Sequence, residues 1–257
     1  MSGGNSRCNK WFACFVLLVS YFVIERKRLC MNIVKRTSTV HTTAKKNRSI
    51  DYIVMHYTAG VTSKTGSAIN TATYFSTTDR EVSSDFTVDD TTVVQYNPDI
   101  KNRYTWHCGG SKYKTKGGSL YGKCTNSNSI GIEVCSTNST GKMQNANDKS
   151  YSFTAAAVKT AEELVKQLMK EYNIPADHVI RHYDVTGKPC PGIIGWNADS
   201  GSEVEWNKFK AAISNVSFTV GAPKYYVQVG AFSVKENAEE FLKEVKKTYP
   251  NAFIKTI

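Results

Sequence analysis

Hydrophobic positions along the chain change period several times, and each change predicts an element. Tyr52-Ile53-Val54-Met55 is a short apolar run that ends at His56 and precedes Thr58-Ala59-Gly60, which reads as a strand and a turn. Gly66 to Ser76 sets Ala68, Ala72 and Phe75 on one helical face. Phe86-Thr87-Val88 and Thr92-Val93-Val94-Gln95-Tyr96, separated by Asp89-Asp90, predict a hairpin. Ile130 to Cys135 is a further strand, with Glu133 among apolar neighbours. The clearest helix runs from Thr154, a suitable N-cap, to Tyr172, with Ala157, Val158, Ala161, Leu164, Val165 and Leu168 at helical spacing and Pro175 beyond its end. Val179-Ile180 leads into His182, and Val204 to Ile213 predicts another helix. The intervening stretches are polar: an arm over 33–49, a Gly/Lys/Ser-rich loop from Trp106 to about Asn128, and a loop over 136–150.

The two ends differ from this central part. Residues 214–224, with Gly221 and Pro223, read as a linker. Beyond it, 225–229 as strand, 235–247 as helix and 252–255 as strand make one β-α-β unit of 33 residues. A module below roughly 40 residues rarely folds unaided, so this unit is expected to dock, to pair with a second copy, or to stay marginal. At the other end, Trp11 to Ile24 is an apolar run of fourteen residues. That is short of the roughly 20 needed to span a bilayer. A basic cluster, Glu25-Arg26-Lys27-Arg28, follows where a signal peptide would have its small-residue cleavage site. One reading is a membrane tether or an uncleaved, weakly inserting signal. The favoured reading is a translated leader: Arg26-Lys27-Arg28 can be encoded as a purine run just ahead of Met31, where a bacterial ribosome-binding site would lie. Residues 1–30 are then outside the native protein, and no stable membrane anchor is expected.

Charge sharpens this division. The net charge is +11, but residues 1–50 hold ten Lys/Arg against one acid, leaving the other 207 residues nearly balanced with 23 basic and 21 acidic side chains. No basic helix is interleaved with aromatics, so nucleic acid is not an expected partner. The seven cysteines (8, 14, 30, 108, 124, 135 and 190) contain no CxxC pair and read as free thiols of a protein made in a reducing cytoplasm. Cys108 and Cys124 could instead pair around the loop between them.

Chemistry concentrates in Arg181-His182-Tyr183-Asp184-Val185-Thr186-Gly187-Lys188-Pro189-Cys190-Pro191-Gly192. His182 and Cys190 are the side-chain types that bind a borderline-soft dication such as zinc. Gly187, Pro189, Pro191 and Gly192 bar a continuous helix and predict a loop of fixed shape. His56, at the end of a buried strand, would complete three ligands and leave a fourth position for water. Glu133 could accept a proton from that water, Lys188 could stabilise an oxyanion, and His107 could bind substrate or orient a ligand. Each residue also has a plain structural reading: a satisfied polar group for His56, an ion-paired carboxylate for Glu133, an apolar filler for Cys190, a solvated charge for Lys188.

Taken together, DYIVMHYTAG, SSDFTVDD, TWHCGG, NSIGIEVC and RHYDVTGKPCPG, in this order, resemble the zinc-dependent N-acetylmuramoyl-L-alanine amidases of the phage-endolysin type, a family that includes the peptidoglycan recognition proteins. The resemblance spans about residues 33–213 and places the catalytic domain at 31–213. It implies an α/β fold, a mixed central β-sheet flanked by helices, with a cleft for peptidoglycan. It also implies Zn2+ on His56, His182 and Cys190, catalytic roles for Glu133 and Lys188, and substrate contacts from Trp106, His107 and Thr58. The implied reaction is cleavage of the amide between N-acetylmuramic acid and L-alanine. Two positions depart from the pattern: Ser84 stands where some branches carry a catalytic tyrosine, and Asp85 where members often have histidine. The implied setting is a lysin made in a bacterial cytoplasm that acts on the cell wall. A host autolysin and a non-catalytic recognition protein are the alternatives, and Cys190 favours catalysis. Residues 225–257 resemble half of a SPOR domain, through Gln228, Gly230, Ala231, Phe232 and Asn237-Ala238. A half module predicts that two chains pair through it.

Overall fold

The computed structural model describes residues 33–214, 230, 232–248 and 254. The expectations for residues 1–30, the linker and the strands at 225–229 and 252–255 lie outside these residues. The chain divides into two units at Val216–Ser217.

In the first unit the apolar runs become a six-stranded sheet. Its strands are β1 (Ile33–Lys35), β3 (Tyr52–Tyr57), β4 (Phe86–Val88), β5 (Val93–Gln95), β7 (Ser129–Val134) and β10 (Val179–Arg181), in the order β1-β5-β4-β7-β3-β10. The β4–β5 hairpin is antiparallel and the other pairings are parallel, so the sheet is mixed. The polar arm at 33–49 contributes two strands. Ile33–Lys35 adds to the sheet edge beside β5, and β2 (Thr42–Ala44) pairs antiparallel with β6 (Arg103–Thr105). Likewise the polar loop at 136–150 is closed by β8 (Thr137–Asn138) against β9 (Tyr151–Ser152).

Period-two alternation sorts each central strand between two faces. Ile53, Met55 and Tyr57 of β3 join Ile130, Ile132 and Val134 of β7 on one face. There they meet Ala157, Ala161, Leu164, Val165, Leu168 and Met169 of helix α2 (Ala155–Tyr172). The Thr154 hydroxyl caps α2 by accepting from the Ala157 N–H at 3.0 Å, and Asn173 ends it in the left-handed conformation. Helix α4 (Val204–Ser214) adds Trp206, Phe209 and Ile213 to the same core.

Helix α1 (Ser67–Thr77) covers the opposite face, where Ala68, Ala72 and Phe75 pack on Val94, Tyr96 and Cys135. Further along, Val54 and Ile180 meet Cys108, Cys124 and Val185. The segment expected to be a loop from Arg181 begins as helix α3 (His182–Thr186). Asp184 accepts from the Arg181 backbone N–H at 2.8 Å and so caps the turn, and Gly187 ends it at φ 82°. The glycine and prolines then stop the helix after five residues rather than preventing it. In the second unit, helix α5 (Lys235–Thr248) matches the expected helix at 235–247. Among the described residues no helix is long and apolar enough to cross a membrane.

Candidate metal centre

Parallel pairing brings the candidate residues to one edge of the sheet. His56 is the last residue but one of β3, directly opposite Glu133 on β7, and β10 delivers His182 just past Arg181 on the other side of β3. Cys190 folds back from the turn after α3, where Tyr183 N–H donates to the Cys190 carbonyl at 3.0 Å. One donor atom each from His56, His182 and Cys190 lies within 4.8 Å of the others, and all three residues are buried. The Cys190–Pro191 peptide is cis.

The hydrogen bonds behind His56 define its tautomer. Ser129 commits its single hydroxyl proton to the Thr125 carbonyl at 2.5 Å. Toward His107 Nε2, 3.2 Å away, the Ser129 oxygen can therefore only accept, so His107 carries its proton on Nε2. His107 Nδ1 is then an acceptor for His56 Nε2–H at 3.1 Å. This leaves the His56 Nδ1 lone pair free, facing Cys190 Sγ at 3.7 Å. Gly131 makes room for this relay, since any Cβ there would collide with the His107 ring.

The donor set fits zinc. Burial, with help from the neighbouring histidines and Lys188, holds His56 well below the usual imidazole range. Burial and then Lys188 bring His182 down to about 3, so both rings are neutral and able to coordinate. His182 Nε2 is buried with no hydrogen-bond partner, an orphan that a cation would satisfy. Burial pushes the Cys190 thiol up to about 12, as expected of a sulfur enclosed without the positive charge that would ionise it.

Glu133 completes the cluster. The residue is partly exposed, yet its Oε2 is enclosed and unpartnered. Burial raises its pKa to about 8, with Lys188 pulling it back down. Among the described residues Glu133 forms no ion pair with Arg181 or with a lysine, and Arg181 instead binds Asp184 at 2.7 Å and Glu203 at 2.5 Å. Lys188 is exposed, on the turn between α3 and Cys190.

The chain has relatives among known proteins. Residues 46–193 match the family model described as N-acetylmuramoyl-L-alanine amidase. The chain belongs to this amidase family. Among its amidase relatives in Bacillus subtilis (strain 168), CwlA is 34% identical over 163 residues, which cover 63% of this chain and 48% of CwlA. XlyA, from the same strain, is 34% identical over 179 residues, covering 70% of this chain and 48% of XlyA. The chain thus spans about half the length of the curated relatives it matches. The solved catalytic domain of XlyA superposes with a TM-score of 0.50 at 30% identity, covering 71% of this chain and 99% of that domain. The solved structure of PlyL gives a TM-score of 0.50 at 26% identity, covering 72% of this chain and 99% of that one. Residues 221–257 match the SPOR domain model.

The three residues expected to contact substrate all have partners within the protein. His107 is 7% exposed and enclosed between His56 and Ser129, behind the candidate ligand His56. Trp106 turns away to β2, where its indole N–H donates to Thr43 Oγ1 at 2.9 Å. Thr58 ties two turns together, its Oγ1 accepting from Gly60 N–H and Ser136 N–H, each at 3.2 Å. At the two departures from the family pattern, Ser84 is buried and donates to the Phe86 carbonyl at 2.7 Å, leaving no free hydroxyl for a tyrosine's role. Asp85 is a fully bonded core residue. Ser129 was missed by the sequence reading, because its role exists only through contact with His107, 22 positions away.

Proposed function

We propose that the protein is a peptidoglycan hydrolase that cleaves the amide between the lactyl group of N-acetylmuramic acid and the L-alanine of the stem peptide. The observation that carries this reading is the buried His56-His182-Cys190 cluster with an unpartnered carboxylate oxygen beside it on the adjoining strand. Zinc held by these three side chains would supply a Lewis acid that lowers the pKa of water and polarises the scissile carbonyl. The protein's own groups do the rest. His107, fixed by Ser129, holds the His56 ring in one tautomer. Glu133 takes the proton from the attacking water and passes it to the departing amine. Its pKa of about 8 without a dication puts it within reach of neutrality once a positive charge lies alongside. Lys188, at the mouth, stabilises the negative charge that grows on the carbonyl oxygen.

The site of action is the bacterial cell wall, with the SPOR-like segment adding affinity for the wall or pairing two chains. The test is digestion of purified peptidoglycan with and without a chelator. New amino-terminal L-alanine that appears only with metal present is the expected result, and Cys190→Ala should reduce it to the level of the chelated control. New reducing sugar ends, or full activity in Cys190→Ala, would overturn the assignment. Sedimentation of the full chain against one ending at residue 224 tests the pairing: a monomer in both cases rules it out.

A further inference from the structure

Two cysteines outside the metal cluster are buried in one and the same apolar cluster. Cys108 and Cys124 bound the Gly/Lys/Ser-rich loop and are 2% and 3% exposed. They share an apolar cluster with Val54, Ile180 and Val185. The Cys124 sulfur, and then burial, push the Cys108 thiol well above its usual range. The backbone on both sides is held: Asn126 Oδ1 accepts from His107 N–H at 3.0 Å and Cys108 N–H at 2.8 Å, and Cys124 N–H donates to the Leu120 carbonyl at 3.1 Å. Both thiols are free, and neither belongs to the metal cluster.

The loop between them braces helix α3, which begins with His182. Tyr113 N–H donates to the Thr186 carbonyl at 2.7 Å, Gly118 N–H to Tyr183 at 2.9 Å, and Leu120 N–H to Asp184 at 2.9 Å. Thr115 Oγ1 adds a bond to the Gly187 carbonyl at 2.7 Å. Closing the ends of this loop covalently would therefore hold one wall of the metal centre.

We propose that Cys108 and Cys124 form a dithiol that closes to a disulfide when the protein passes from a reducing compartment to an oxidising one, stapling residues 109–123 against α3. The co-reactant is a small-molecule disulfide. Two S–H bonds break and one S–S bond forms; the two protons go to solvent, and the electron pair goes to the oxidant, whose own S–S bond opens to two thiols. A cross-link between residues so placed restricts the unfolded chain and the locally opened loop, so the oxidised form should be the more stable one. It suits a protein folded among thiols but working outside them.

The experiment uses the full chain loaded with zinc. The protein is incubated with oxidised glutathione, both folded and during refolding, then alkylated in denaturant and digested without reduction. The expected result is one linked species joining the Cys108 and Cys124 peptides, lighter than their sum by two hydrogens. It should come with an upward shift of several degrees in Tm that dithiothreitol reverses. Cys108→Ser and Cys124→Ser, with the alanine variants as alternatives should serine not fold, are expected to lose that shift and to keep the activity of the reduced protein. Complete alkylation of both thiols after both treatments, glutathione attached singly to either, or a linked species with no reducible Tm shift would each overturn the proposal. None of these readouts depends on which bond the protein hydrolyses.

Discussion

Two carboxylates, one just before β4 and one on the neighbouring β7, have opposite surroundings. Asp85, just before β4, is fully buried and spends its oxygens on partners: Asn97 Nδ2 at 2.6 Å, Thr105 Oγ1 at 2.8 Å and Gly131 N–H at 2.8 Å, with Arg48 at 3.7 Å. Glu133 lies two residues beyond Gly131 on β7, yet its Oε2 has no partner and burial lifts its pKa to about 8. The histidines divide the same way. His41 and His178 bond backbone carbonyls at 3.1 and 2.8 Å, whereas His182 leaves Nε2 empty. Asp85 has both oxygens partnered and joins the core, although the neighbouring Arg48 keeps one buried nitrogen without a hydrogen bond; Glu133 has a buried oxygen left over.

If that contrast is right, the two regions should respond differently to substitution. Glu133→Gln is expected to lower kcat by about 10²–10⁴-fold while Tm holds or rises, because a desolvated charge is lost with no partner stranded. A parallel fall in Tm would place Glu133 with Asp85. His107→Phe should weaken zinc binding by about 10–100-fold in a chelator-competition titration, since the His56 tautomer is no longer fixed. Asp85→Ala is expected to cost about 1–3 kcal/mol in urea unfolding, with activity per folded molecule kept. The smallest effect concerns pH. In metal-free protein the His182 pKa is about 3 against 6.5 for a free imidazole, so the stability that its neutral form contributes is complete above pH 6.5 and is lost as pH falls toward 3. Between pH 7 and 5.5 that amounts to roughly 1 kcal/mol, and His182→Asn should flatten this part of the profile.

The long apolar runs and the helix at 155–172 were legible in sequence because their burial follows a period over many residues. The three residues of the buried His56-His182-Cys190 cluster could be picked out too, since His and Cys are metal-ligating types by identity. The remainder depends on distant partners. β1, β2, β6, β8 and β9 are two or three residues long, too short to show a period, and exist through strands elsewhere in the chain. Trp106 is near His107 in sequence, but its indole N–H belongs to Thr43. The three-member relay from Ser129 through His107 to His56 has no local signal at all.

The parallel order β7-β3-β10 also bears on how the protein endures. Cys190 and His56 are 134 positions apart, and they meet because three strands have already aligned. An ion recognised by that cluster binds the assembled sheet and not the loose chain, so occupancy draws the folding equilibrium toward the native form by mass action. Metal supply would then set how long the folded protein lasts, and a chelator would shorten that lifetime.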